Sequence, residues 1–462
     1  MNRLKLSKVL ATLLFSSSCV LNGTTLNDAV ENLMIVNPEV EAIKQNNEAY
    51  KTYIEEANGN YKPVVDLEVT ADTKKTKSKL DGTGSWTEES QEGLDGQLNF
   101  DQLIYDGGLT PALVEESKYR YESNMLTNSA AVEKVVLSGV TAYLDLVKYD
   151  KRLEISKKNV KIHETYLETA REAEKISGDT LNTVEVTARL HLAKKNYIEE
   201  LDNEQIAQNS FRRVVGEEIK DTVCAPVANE SVLPSEIDTF INDVLAKNNT
   251  VLAQRAKIQE QRAIINQEQS KYLPTLKFNL NGTWDDDYIT SNTQKKIYSA
   301  SIILNYNFYT GGKDEQSNLR EKLFLKESTK VLGSKSDLVV DEATSAYNSY
   351  KISKDKIQEL QGYVTANEDL LKIYKDQFEA GNRTFVDVLD IESDLYDAKV
   401  QLIDEEARLL NLYYTMLSLT SNLQDTIVAQ PNIPCSVTKA STNDDKLENK
   451  EDELSDLQKS LE

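Results

Sequence analysis

Asp387 and Asp390 stand three residues apart in a stretch of helical periodicity, which puts both carboxylates on one face of a helix. With Arg383 close by, the plain reading is an exposed helix face carrying ordinary salt bridges. The two histidines, His163 and His191, are isolated in helical sequence without ligand spacing around them, so no metal site is expected. No phosphate-binding loop, nucleophile elbow or dinucleotide fingerprint occurs. Gly107-Gly108 and Gly311-Gly312 follow alternating segments and read as strand-to-helix joints, not phosphate cradles. No catalytic residue, enzyme activity or cofactor is expected.

Three cysteines remain. Cys19 ends an N-terminal stretch with basic Arg3, Lys5 and Lys8, an apolar run from Val9 to Phe15 and small Ser16-Ser17-Ser18, the pattern of a secretory signal over residues 1–23. A lipidated Cys19 wants leucine three residues earlier, where Ser16 stands. Cys224 and Cys435 each follow the last long helix of a half-chain. In an oxidising compartment they could pair or stay as two buried thiols. The formal net charge of -23 excludes a nucleic-acid partner, since no basic stripe could neutralise phosphates. No segment has the roughly 20 apolar residues of a membrane helix.

The chain says the same thing twice. Asn37-Pro38-Glu39-Val40 is echoed by Asn248-Asn249-Thr250-Val251, Tyr61-Lys62-Pro63 by Tyr272-Leu273-Pro274, and Tyr105-Asp106-Gly107-Gly108 by Tyr309-Thr310-Gly311-Gly312. Ala142-Tyr143 and Ala346-Tyr347 follow at equal offsets from the glycine pairs. The resulting domains are 24–235, a first repeat, 236–424, a second, and 425–462, a closing segment with an acidic tail expected to be disordered.

In each repeat the pattern predicts one helix (26–60; 236–272), two strands and two long helices. Val65, Leu67, Val69 and Ala71 alternate with Asp66, Glu68, Thr70 and Asp72. Leu94 to Asp101, Leu276 to Asp285 and Ser301 to Phe308 alternate likewise, with polar loops over about 74–93 and 286–296. Thr110-Pro111 reads as the start of a helix that reaches Lys175, on the order of 100 Å long. Gly178 and Gly381 turn each long helix into a returning one.

Strands of about ten residues can cross a bilayer, apolar face to lipid and polar face to a watery lumen. A one-sided soluble sheet has the same period. The export signal and the lack of membrane helices favour the barrel. Four strands cannot close one, since the smallest common barrel has eight, so copies must share it.

The chain resembles TolC-type outer-membrane channels over nearly its whole mature length. The most specific match is Gly381-Asn382-Arg383-Thr384-Phe385-Val386-Asp387-Val388-Leu389-Asp390, followed by Leu395-Tyr396-Asp397-Ala398-Lys399. The Tyr-x-Pro strand starts and the glycine pairs fit as well. The resemblance implies an α+β membrane protein: a homotrimeric β-barrel, four strands per chain, in outer-membrane lipid, on a long α-helical coiled-coil tube in the periplasm. Residues 216–235 and those after about 422 would form an equatorial region. It implies acidic rings of Asp387 and Asp390 at a pore constriction. Arg383 would lock the closed state through hydrogen bonds to the neighbouring coiled coil, with Thr183 and Glu185 as candidate partners. The family places an aromatic hydroxyl three residues before the glycine, where this chain has Phe378.

The implied partners are a periplasmic adaptor and an inner-membrane ABC or proton-driven transporter, docking at the tips near Gly178 and Gly381. Glu185-Val186-Thr187-Ala188-Arg189-Leu190 and Phe211-Arg212-Arg213-Val214-Val215-Gly216 resemble channels of type I secretion that export large adhesins. The expected function is therefore a passive conduit for an exported protein. The alternatives are a drug-efflux channel with small-molecule cargo and a periplasmic coiled-coil adaptor with a soluble sheet.

Overall fold

The computed structural model describes residues 24–79, 84, 86–218, 223–287 and 293–429. The signal segment with Cys19, and the tail with Cys435, lie outside them. Helices α1 (Leu26–Val36) and α2 (Pro38–Gly59) lead into strands β1 (Val64–Lys79) and β2 (Trp86–Tyr105), then into α3 (Leu109–Ser177) and α4 (Leu181–Val215). The same order returns as α5 (Ile237–Lys247), α6 (Asn249–Ser270), β3 (Thr275–Asp287), β4 (Thr293–Asn305), α7 (Lys313–Glu379) and α8 (Phe385–Leu419), closed by α9 (Leu423–Ala429).

The single helices expected over 26–60 and 236–272 are each broken in two, at Asn37 and Asn248. Each asparagine caps the following helix. Asn37 Oδ1 accepts from Glu39 and Val40 amides at 2.9 and 3.3 Å, and Asn248 Oδ1 from Thr250 and Val251 at the same distances. Their side-chain amides also match: Asn37 donates to Val214 O at 2.8 Å and Asn248 to Leu419 O at 2.9 Å. Each break thus anchors the end of a returning helix, whose last carbonyls have no helical partner.

Three further expectations are corrected. The polar loop over 74–93 is mostly strand, because Lys75 and Lys77 pair with Glu88 and Ser78 meets Thr87 across the hairpin. Most of 286–296 is likewise strand, with Gln294 donating to Asp286 at 3.2 Å, whereas Tyr306 and Phe308 lie past the end of β4. Helix α3 starts before Thr110-Pro111: Gly108 is its cap, and Asp106 accepts from the Gly108 and Thr110 amides at 3.1 and 2.6 Å.

The main core gathers Leu33, Val136, Tyr143, Phe211, Tyr413 and Leu423 from α1, α3, α4, α8 and α9. A second, around Phe240, Val251, Ala343 and Met416, repeats it in the other half. The echoed tyrosines do equivalent work. Tyr143 Oη shares its proton between the carbonyls of Thr24 and Cys224 at 2.8 and 2.7 Å, and Tyr347 Oη donates to Ser235 O at 2.5 Å. Each pins an irregular segment onto the helices. Cys224 is disulfide-bonded, and the chain's other two cysteines, Cys19 and Cys435, both lie outside the described residues.

Glu133 of α3 faces the start of α9. Burial pushes its carboxyl up to about 7, against the lowering effect of the Leu423 and Gln424 amides. A carboxyl raised on folding carries no penalty below its unfolded value near 4.5 and destabilises progressively as pH rises towards 7, by up to roughly 3 kcal/mol. Glu133→Gln is therefore expected to raise the thermal midpoint at about pH 8 and barely change it at about pH 4. Equal shifts at both pH values would contradict this assignment.

Candidate channel wall and helix-tip gate

The four strands form one antiparallel sheet in the order β1-β2-β3-β4, leaving β1 and β4 as edges. The alternation predicted from sequence sorts its two faces. Val65, Leu67, Val69, Leu98 and Leu280 are all exposed, Leu67 by 65%. Water would not tolerate such a continuous apolar face, and lipid would. On this face the Trp284 ring lies over Gly96, so close that a Cβ on Gly96 would sit 1.8 Å from it. The opposite face is polar: Asn279 donates to Asp101 at 3.0 Å and Asn281 to Asn99 at 2.5 Å. No described helix is long and apolar enough to cross a membrane.

At the far end of the long helices, Gly178 caps α3 at φ 74°, its amide donating to Glu174 O at 2.7 Å. Gly381 turns α7 into α8 at φ 74°, with the Asn382 amide reaching back to Gln377 O at 2.8 Å. Both positions need the left-handed backbone that glycine adopts at least cost.

Next to Gly381, Arg383 stays within its own hairpin. Its guanidinium lies 3.8 Å from the Tyr374 ring centroid, Nε donates to Gln377 at 3.0 Å, and a terminal nitrogen approaches Asp387 at 3.6 Å. Among the described residues Arg383 makes no hydrogen bond to α3 or α4 of its own chain. Asp387 is the third residue of α8 and completes a capping box, accepting from Thr384 N and Oγ1 at 3.1 and 2.7 Å. Those bonds, aided by Arg383, hold its carboxyl below the usual carboxylate range. Asp390 points outward and pairs with Arg189 of α4 at 2.5 Å, while Arg189 also meets Glu185 at 3.5 Å. Glu185 and Asp390 are thus brought together through a shared guanidinium. Thr183 has its hydroxyl buried without a hydrogen-bond partner among the described residues. Phe378 packs its ring 5.0 Å from Phe385.

Besides Arg189–Asp390, a buried link between the two coils runs through residues not singled out from the sequence. Tyr166 of α3 donates to Glu392 of α8 at 2.9 Å, and Lys375 of α7 reaches the same carboxylate at 3.3 Å. The Glu392 side chain is only 6% exposed. Beside this link His163 is 3% exposed, edge-on to Tyr166, and burial lowers its pKa against the pull of Glu392. The one local signal for this cluster is the i, i+4 pairing of Glu185 with Arg189.

A family model described as Outer membrane efflux protein matches residues 240–420. The alkaline protease secretion protein AprF of Pseudomonas aeruginosa is 22% identical over 306 residues, which is 64% of this chain and 62% of AprF, so the chain spans less than two thirds of that relative. Outer membrane protein TolC of Escherichia coli is 23% identical over 416 residues, 83% of this chain and 80% of TolC. The Campylobacter jejuni CmeC outer membrane channel has a TM-score of 0.75 at 14% identity, covering 92% of this chain and 94% of that one.

Residues 240–420 carry the pattern of the outer membrane efflux protein family. The resemblance read from the glycine-turn motif is borne out, and so is the fold it implied. By these likenesses the chain is an outer-membrane protein, with the sheet in the bilayer and the long helices in the periplasm. The family and fold are those of passive channels.

Proposed function

We propose that the chain is the outer-membrane conduit of a type I protein secretion system, built as a homotrimer. The likeness to AprF, a protein named for alkaline protease secretion, carries the choice of cargo class. The open edges of β1 and β4 support the assembly. Three chains give twelve strands, enough to close a barrel without leaving an edge in lipid. The conduit has no energy source of its own. A periplasmic adaptor and an inner-membrane transporter dock at the tips near Gly178 and Gly381. Ile176, Leu181 and Val184 stand out into solvent there, Ile176 by 90%. Docking shifts a closed-to-open equilibrium by separating α8 from the α3–α4 coil.

Asp387 and Asp390 of three chains ring the constriction, and each is balanced by an arginine of its own chain. Asp387→Asn with Asp390→Asn is expected to lower cation over anion selectivity about two- to fivefold in planar bilayers. Asparagine at 387 keeps an acceptor for the α8 cap, which alanine would remove. Unchanged selectivity would place both carboxylates away from the constriction.

A second reading, the outer-membrane channel of a small-molecule efflux pump, draws on the family's description and on the likeness to TolC. Comparing the secreted and surface proteins of a deletion strain with its parent separates the two. Loss of one exported protein supports type I secretion. An unchanged profile with new sensitivity to dyes and detergents supports efflux.

A further inference from the structure

Segment 73–79, Thr-Lys-Lys-Thr-Lys-Ser-Lys, holds four lysines in a chain where acids outnumber bases 76 to 53. It is the outer part of β1, which pairs with β2 rung by rung from Val64 opposite Asp101 to Lys79 opposite Trp86. Side chains alternate along a strand. Lys75, Lys77 and Lys79 therefore lie on the same face as Val65, Leu67 and Val69, the face turned to lipid, while Lys74 takes the lumenal side.

Height along the strand follows from length. The hydrocarbon layer takes roughly nine to eleven residues of a tilted strand. Counted from Val64, where β1 leaves the helical end, it is crossed by about Lys74. The three outward lysines stand just beyond, at the outer surface, since the hairpin tip points away from the periplasmic helices. Trp86 is directly opposite Lys79 and 65% exposed, an interfacial aromatic at the same level. Glu88 approaches both Lys75 and Lys77, whose side chains remain 64% and 62% exposed, and Glu92 of β2 and Asp286 of β3 are further acids on this face.

We propose that Lys75, Lys77 and Lys79 form a binding strip for the phosphate-bearing headgroups of outer-leaflet lipid. The occupant is set by continuity with the apolar face beneath and by charge: lipid already touches this face, and its phosphates lie at the height of the ammonium groups. Long lysine side chains can rest their stems on the apolar surface and turn their charge to the headgroup. The inference rests on the outer-membrane placement of the sheet.

The test uses the purified full-length chain in detergent, with lipid A bearing its phosphates and lipid A stripped of phosphate as probes, read by native mass spectrometry. The unsubstituted chain is expected to prefer the phosphorylated lipid about tenfold. Lys75→Gln with Lys77→Gln and Lys79→Gln should abolish that preference. Glu88→Gln, which frees two lysines, should increase it. Equal binding of the two lipids, or a preference that survives the triple substitution, overturns the proposal. Bilayer conductance of the same samples keeps the two readings apart. Normal conductance with no phosphate preference sinks the lipid strip alone, whereas an unsubstituted chain that never conducts sinks the channel.

Discussion

Tyr166→Phe is expected to turn a nearly closed channel into a leaky one. The substitution removes one hydroxyl per chain, and that hydroxyl is the only bond from α3 to the buried carboxylate of Glu392 among the described residues. A hydrogen bond to a charged group contributes about 1.5–3 kcal/mol. Three copies acting on one gate add to about 4.5–9 kcal/mol, which brackets the ~5.5 kcal/mol that carries a two-state equilibrium from mostly closed to mostly open. Arg189→Ala should act in the same direction but more weakly, because its pair with Asp390 is half in solvent. Arg383→Ala should do least. Its partners Tyr374, Gln377 and Asp387 belong to the same hairpin and move with it, and a contact kept in both states cannot bias the equilibrium. Single-channel recording ranks the three. Leak from Arg383→Ala with none from Tyr166→Phe would put the hinge inside the α7–α8 hairpin.

Gly107→Ala is expected to cost about 3 kcal/mol, and Gly311→Ala only about 1 kcal/mol, although the two glycines are equivalent in the repeat. Both have positive φ, at 72° and 71°. A Cβ on Gly107 would meet Ser270 O at 2.6 Å and Leu273 Cβ at 2.8 Å, whereas one on Gly311 has nothing within 4 Å. Backbone and a side-chain root cannot swing aside as a flexible chain end can. The first joint is therefore wedged against the end of α6, and the second stands free. Thermal melts of the two variants in detergent should show the larger fall for Gly107→Ala. Equal falls would mean that conformational strain alone sets the cost.

The parts of this fold that could be read from the residues are those written in local pattern. Period-two alternation marked the lipid-facing stretch of each strand, and glycine marked every sharp reversal of the long helices. The strand ends were missed because Lys75, Lys77 and Glu88 continue the ladder through charge pairs, where no apolar alternation remains. The helix break at Asn37 has a local signal, a capping asparagine directly before a proline at the first helical position. Asn248 has no proline after it, and its role shows when its side-chain amide finds a helix end 171 residues away. The gate divides in the same way. The turn and its two aspartates were legible, and Thr384-x-x-Asp387 could have been read as a cap. The Tyr166–Glu392 bond spans 226 residues and leaves no local trace.

The central claim is that copies of this chain close a barrel in the membrane and hold a helical gate shut beneath it. Recording the purified chain and its Tyr166→Phe variant in planar bilayers tests both parts at once. The account predicts discrete conductance steps from each, small and cation-selective for the unsubstituted chain and several-fold larger for the variant. A chain that extracts without detergent and gives no steps from either form would contradict it.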